Sequence, residues 1–312
     1  MNPPPSSVEG VRSPVQEGTR PDPAPSLPRA LFSAARPRQW AKNALVFAAP
    51  VTAGVLLEPE SLRATLLAFA AFCIVASGVY YVNDLADRDA DRAHHSKRHR
   101  PIASGQIRAS TAAVVAAALL AGGVVVAFLS GPGVGAILLG YIALTLSYTA
   151  VLRNIVLLDL AAIAGGFMLR AIAGGIAVGV PLSSWFLIVA TFGSFFMAAG
   201  RRHAEYVRLG KGGEAHRPVL RQYSEPYLRY LQYSASTVTI TGYALWAFEG
   251  APHVTVWSGL SIIPFVIGIF RYGLLLDSGQ GETPEDVVLR DPPLLILGCL
   301  WLVFVVAGIY AA

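Results

Sequence analysis

Long apolar runs alternate along the chain with short polar connections, and the runs set the architecture. A membrane-crossing helix needs roughly 20 apolar residues. The stretches 43–57, 64–82, 111–130, 132–150, 155–180, 182–200, 231–248, 254–276 and 293–311 meet or approach that length. The first is short and carries Pro50. This pattern predicts an all-α fold: a polytopic membrane helical bundle of about nine transmembrane helices. Residues 1–28 contain eight prolines, several serines and no sustained apolar run, which predicts a disordered cytosolic tail. No apolar core of the right length follows a short basic start, so no signal peptide is expected. Residues 30–42 are basic and aromatic (Arg36, Arg38, Trp40, Lys42), the composition of an interfacial helix at a headgroup surface. The remainder, 29–312, reads as one membrane domain, with cytosolic segments 83–110 and 201–230 capping its site.

Composition agrees with this pattern. The chain is 54% hydrophobic and 14% charged, with a mean hydropathy of +0.54, too few charges to cover a soluble domain of this size. The net charge of +5 is clustered: six Arg or Lys fall in 88–108 and seven in 201–229, and none in 181–184 or 250–256. When every run crosses, these basic clusters fall on one side and the connections without Arg or Lys on the other, which places the N-terminus in the cytosol and the C-terminus outside. Clustered basic charge in an apolar chain points to topology or phosphate binding rather than to a nucleic-acid partner. Cys73 and Cys299 lie in separate apolar runs, so neither a disulfide framework nor a zinc site is expected.

The second run ends in Asn83, Asp84, Asp87, Asp89 and Asp91. On a helix at ~100° per residue, Asn83 stands at ~0°, Asp87 at ~40°, Asp91 at ~80° and Asp84 at ~100°, while Asp89 points away. Three carboxylates and an amide on one arc suit a hard cation such as Mg²⁺, which is commonly shared with substrate phosphates. Without a cation, carboxylates this close repel one another. Lys97, Arg98, His99 and Arg100 follow, ahead of Pro101. An acidic face beside a basic loop fits Mg²⁺ on one side of a diphosphate and Lys or Arg on the other. Topology-setting charge alone is the competing explanation for that loop. The histidines lack zinc-ligand spacing.

The sixth run ends in a second polar group, Arg201, Arg202 and Glu205. One carboxylate among arginines is better suited to holding a phosphate than a second metal; an intrahelical ion pair is the alternative. The fifth run carries Asp159 near its start and Arg170 deep inside. Burying Arg at a span centre costs ~2.5–3.5 kcal/mol on insertion scales, so Arg170 should face the bundle interior. It lies ~16 Å along the axis from Asp159, too far to pair. Arg170 is therefore expected to serve an anionic ligand, the alternative being a structural contact with another span. Tyr148 and Arg153 close the fourth run on the cytosolic side, within reach of the same mouth.

These residues resemble the UbiA superfamily of intramembrane prenyltransferases, whose first motif, NDxxDxxxD, is matched in full by Asn83, Asp84, Asp87 and Asp91. The superfamily's second acidic pair, DxxxD, is replaced here by Arg201-Arg-His-Ala-Glu205. A closer likeness, covering the chain from about residue 36, is to the decaprenyl-phosphate phosphoribosyltransferase family. It is carried by Arg36-Pro-Arg-Gln-Trp-Ala-Lys-Asn43, Lys97-Arg-His-Arg-Pro-Ile-Ala103, Phe167-Met-Leu-Arg-Ala-Ile-Ala-Gly-Gly175 and Gly193-Ser-Phe-Phe-Met-Ala-Ala-Gly-Arg-Arg202, and by the late Arg271-Tyr272 and Glu285-Asp286 region. The resemblance implies Mg²⁺-dependent transfer of 5-phosphoribose from phosphoribosyl pyrophosphate to a polyprenyl phosphate, feeding cell-wall arabinan synthesis. Asp84, Asp87 and Asp91 would act at the reacting diphosphate, with Asn83 completing the metal ligands. Lys42, Lys97, Arg98, Arg100, Tyr148, Arg153, Arg170, Arg201, Arg202 and Glu205 would bind substrate. Transfer of a prenyl chain to an aromatic or other small acceptor is the competing enzyme reading, and a membrane transporter the competing non-enzyme reading. A homo-oligomer is compatible with the sequence, which does not specify the assembly.

Overall fold

The computed structural model describes residues 26–95, 97–209, 218–250, 255–278, 287–288 and 290–310. Most of the expected tail, and the Glu285-Asp286 pair, fall outside these residues. Every regular element among the described residues is helical. The chain enters through a short helix α1 (Leu27–Ala34), a 3-10 stretch (Pro37–Phe47) and a five-residue helix α2 (Ala48–Thr52). There follow α3 (Pro59–Ala86), α4 (Arg88–Ala93), α5 (Ala109–Ser130), α6 (Pro132–Ala150), α7 (Leu158–Val178) and α8 (Ser184–Leu209). The last are α9 (Glu225–Leu245), α10 (Val256–Asp277) and α11 (Pro292–Tyr310).

Seven helices are long and apolar enough to cross a bilayer: α3, α5, α6, α7, α8, α10 and α11. They coincide with seven of the expected runs, and the chain is a multi-pass membrane protein. The other two runs behave differently. Residues 43–57 do not form one helix: a 3-10 stretch gives way to a single short helix that contains Pro50 and ends before Gly54, whose φ of +75° no right-handed helix can continue through. At about 2.0 Å per residue in the 3-10 part and 1.5 Å in the α part, residues 37–52 still extend roughly 30 Å, the thickness of a hydrocarbon core. The run 231–248 is helical, but α9 carries Gln232, Ser234, Ser236, Thr237, Thr239 and Thr241 and falls short of the apolarity of a span.

Local chemistry sets the helix ends. Pro59, Pro132 and Pro292 open their helices, where a missing N–H costs nothing. A single residue, Gly131 at φ +156°, turns α5 into α6. Asp291 accepts the Leu294 N–H at 2.9 Å at the start of α11 and is held by Arg271 of α10 at 2.7 Å. That pair ties the last two helices together.

α3 is the axis of the N-terminal half. It has 61% of its most apolar stretch buried, against 22% for α5, α6 and α11, whose outer faces are left for lipid. Its core joins Phe72, Val75 and Val79 to Val46, Leu138, Tyr141 and Ala173. A second core, around Phe196, Tyr272 and Leu276, joins α8 to α10.

Candidate active site

The acidic motif sits at the C-terminal end of α3, where the helix breaks at Asp87 (φ −93°, ψ 5°) before restarting as α4. The motif divides into two pairs that meet different partners. Asn83 and Asp87 face α6: the Thr149 hydroxyl donates to Asn83 Oδ1 at 2.6 Å, and Arg153 Nη1 donates to Asp87 Oδ1 at 2.9 Å. Asp84 and Asp91, 3% and 4% exposed, face the other way. Arg100 Nη1 donates to Asp91 Oδ2 at 2.7 Å and to Asp84 Oδ1 at 3.2 Å. Arg36 Nη2 reaches the same Asp84 oxygen at 2.5 Å and lies over the Tyr80 ring, 5.0 Å from its centroid. Asp89 is exposed, as its angle on the helix predicts.

The basic loop is fixed from below. Ile102 and Ile107 are buried with Tyr81 and Ala112, and Arg92 Nε donates to the Ala103 carbonyl at 2.9 Å. Arg100 is thereby held beside the end of α3. Lys97 is half-buried on the adjoining 3-10 turn, and Arg98 is exposed there. Lys42 donates to Gln39.

The end of α6 connects the two cytosolic motifs. Thr149 and Arg153 hold the first, and the Tyr148 hydroxyl accepts from Arg202 Nη2 at 3.1 Å. Arg202 is wholly buried; its Nε donates to Asp159 at 2.7 Å and its Nη1 to Glu205 at 3.1 Å. The other Asp159 oxygen accepts from the Tyr223 hydroxyl at 2.6 Å, which itself accepts the Leu157 N–H. Burial and then the bond to Asp159 push the Tyr223 phenol well above its usual range, so it remains a proton donor. Arg201, one residue earlier, is half-buried.

Two of the expected substrate-binding arginines are paired within the protein. Arg170 is 6% exposed, and Nε donates to Asn43 at 2.7 Å, Nη1 to the Gly166 carbonyl at 2.6 Å and Nη2 to Tyr141 at 2.8 Å. Its guanidinium also lies 4.6 Å from the Tyr141 ring centroid. Contacts with the 3-10 stretch, with α6 and with its own helix satisfy this charge. Arg202 is likewise consumed by Asp159, Glu205 and Tyr148, and Glu205 serves as its carboxylate partner. Sequence reasoning also missed Arg36, Thr149 and Tyr223. The Arg36-Pro-Arg run signalled a basic interface and a family likeness but no contact with the acidic motif, and nothing local marks the other two.

The donor atoms on the arc are all oxygens, which suits Mg²⁺. Among the described residues no group of three or more His, Cys or acidic side chains is gathered closely enough to hold a metal unaided. Mg²⁺ commonly takes only one or two carboxylates and completes its shell with substrate phosphates and water. Asp84 and Asp91, converging on one cationic nitrogen, offer that pair, so the residues fit the ion.

Inside the bundle, between α2, α7, α8, α9, α10 and α11, lies a cavity of about 430 Å³ lined almost wholly by apolar groups. Its wall runs from Met197 and Tyr272 to Trp246 and Trp301.

A membrane bundle with an acidic helix end, arginines around it and an apolar interior defines a class, and residues 45–289 match one such family. The chain belongs to the UbiA prenyltransferase family. It is 40% identical over 303 residues, 95% of this chain and 91% of the relative, to a decaprenyl-phosphate phosphoribosyltransferase from Corynebacterium glutamicum. A protein of the same description from Mycobacterium tuberculosis is 39% identical over 92% of this chain and 96% of its own length. Among solved structures, a UbiA homolog from Archaeoglobus fulgidus bound to DMAPP and Mg²⁺ superposes with a TM-score of 0.70 at 19% identity, covering 91% of this chain and all of that one. The apo UbiA homolog from Aeropyrum pernix gives 0.61 at 16% identity, covering 90% of this chain and 99% of that one. At such identities the structural likeness establishes the fold alone.

Proposed function

We propose that this protein transfers 5-phosphoribose from phosphoribosyl pyrophosphate to a polyprenyl phosphate and releases pyrophosphate. The observation that carries this reading is the near end-to-end likeness, at about 40% identity, to proteins described as decaprenyl-phosphate phosphoribosyltransferases. The chemistry of the mouth supports it. Donor and acceptor together bring a diphosphate, a 5-phosphate and a lipid phosphate, and this site replaces a second acidic motif with arginines.

Asp84 and Asp91 would hold Mg²⁺, with Asn83 and Asp87 of the same motif as the further candidate ligands; when bound, the ion neutralises charge on the departing pyrophosphate. Lys97, Arg98 and Arg100 take up charge on the same oxygens. Arg153 and Thr149 orient Asp87 and Asn83. The acceptor phosphate oxygen is anionic at neutral pH and attacks the ribose anomeric carbon directly, so no side chain need act as general base. Attack opposite the leaving group inverts that carbon. Lys42 and Arg201 are the candidates for the 5-phosphate and the lipid phosphate, while Tyr148, through Arg202, positions the second motif. The interior cavity receives the first isoprene units of the lipid. Clustered basic residues put the N-terminus and the active mouth in the cytosol, with residues 37–52 and α9 completing nine crossings and the C-terminus outside.

The test is incubation of the purified protein in detergent with labelled phosphoribosyl pyrophosphate and decaprenyl phosphate, with and without Mg²⁺. Lipid-linked phosphoribose should form only with the metal. Asp87→Ala and Asp91→Ala should each cut the rate by about 10²–10³-fold while the protein still inserts and purifies as a single species. Prenyl transfer from a prenyl diphosphate to an aromatic acceptor, without phosphoribosyl product, would establish the competing enzyme reading instead.

A further inference from the structure

We propose that Arg100 is an internal counter-ion that divalent metal displaces from Asp84 and Asp91, and that the displaced guanidinium then binds the diphosphate, so that metal and diphosphate reinforce each other's binding. The inference rests on the metal-dependent reading above and deepens it.

Asp84 and Asp91 are nearly sealed from water, with side chains 4% and 5% exposed. Two buried carboxylates side by side are stable as anions only beside positive charge. Arg100 supplies it to both at once: a single nitrogen, Nη1, touches Asp91 at 2.7 Å and Asp84 at 3.2 Å. That nitrogen occupies the position between two oxygen ligands that a divalent ion would need. Arg36 adds the second positive charge on Asp84. With both arginines in place the two carboxylates are neutralised, so a dication joining them would face two like charges at close range, which is unfavourable. Arg36 is braced over the Tyr80 ring and approaches from the α1 side. Arg100 bridges the pair, and it is therefore Arg100 that must yield.

The yielding group is well placed for a second task. Arg100 has a side chain 30% exposed and stands at the end of a short 3-10 turn anchored by buried Ile102. Its planar fork matches phosphate oxygens as well as carboxylate ones. A diphosphate arriving with the metal offers the anion that Arg100 has lost. The exchange lowers affinity for either partner alone and raises it for the pair, which is positive coupling by linkage.

The experiment uses the full chain in detergent, Mn²⁺ as a paramagnetic probe of divalent binding, and inorganic pyrophosphate, with correction for Mn²⁺ held by free pyrophosphate. In the natural sequence pyrophosphate should tighten Mn²⁺ binding by about tenfold or more. R100Q should bind Mn²⁺ alone about three- to tenfold more tightly than the natural sequence and lose most of the pyrophosphate effect. R100K keeps the charge but loses the planar fork that matches phosphate oxygens and should fall between the two, which serves as the reading if R100Q does not purify as a folded species. Mn²⁺ binding no tighter in either variant, or a pyrophosphate effect left intact in R100Q, overturns the proposal. Failure of the parent reading shows separately, as absence of lipid-linked phosphoribose from the natural sequence whatever the Mn²⁺ affinities.

Discussion

Two arginines deep in this protein bear charge for structural reasons. Arg170 donates through all three guanidinium nitrogens to Asn43, Gly166 and Tyr141, joining α7 to the 3-10 stretch and to α6. Arg170→Ala would leave the Asn43 oxygen and the Tyr141 hydroxyl without their charged donor. The expected loss is about 3 kcal/mol or more, since hydrogen bonds to charged groups are worth ~1.5–3 kcal/mol each. Arg170→Lys should rescue little, because an ammonium cannot reproduce a planar fork. Thermal unfolding in detergent checks this. An unchanged midpoint with weakened affinity for phosphoribosyl pyrophosphate would return Arg170 to the ligand-binding set. The contrast with the acidic motif shows what sequence reveals at this scale. Asn83, Asp84, Asp87 and Asp91 lie within nine consecutive residues, so their proximity was legible from local spacing alone. Arg170 meets Asn43 from 127 positions away, and Arg202 meets Asp159 across 43. Charge and depth were legible for both arginines, but their partners depend on which helices pack together.

The least predictable element is the segment from Pro37 to Thr52. Its residues were too few for an α-helical span, and nothing in their pattern announced a 3-10 conformation. Tertiary contact accounts for it: Val46 and Ala49 are buried, and α7 approaches so closely that a Cβ on Gly174 would stand 1.9 Å from the Val46 carbonyl oxygen. Backbone cannot give way as a flexible side chain can. Gly174→Ala should therefore push the segment off α7, disturb Asn43 and with it Arg170, and sharply reduce the yield of monodisperse protein. Gly122→Ala, in α5 with nothing within 4 Å of the new methyl, serves as the matched control and should be neutral. Size-exclusion profiles of the two variants decide the matter, and equal profiles would mean that α7 can retreat. Glycine pairs such as Gly165-Gly166 and Gly174-Gly175 suit close helix packing. Which one meets backbone emerges only from the fold.

Across the whole molecule, seven crossings were readable because a bilayer imposes a length and an apolarity on each helix. α9 escapes that rule by carrying hydroxyl and amide side chains, several of which are satisfied within the helix: Thr237 and Thr239 donate to carbonyls four residues back. Topology reporters fused to each terminus test the remaining arrangement. An N-terminal fusion active in the cytosol and a C-terminal fusion active outside is the expected result; both on one side would mean an even number of crossings and overturn the proposal of nine.

The interior cavity, at about 430 Å³, lies in the range that encloses a drug-sized ligand. A chain of ten isoprene units is several times bulkier. If the head of such a lipid is processed at the mouth, most of its tail must trail out between helices and mingle with neighbouring acyl chains. The protein would then sense the phosphate and the nearest double bonds, and the far end of the tail would go unmeasured. Uniformity of lipid length in the product would therefore reflect the pool of carriers dissolved in the surrounding bilayer, with the transferase itself acting on whatever head that pool delivers.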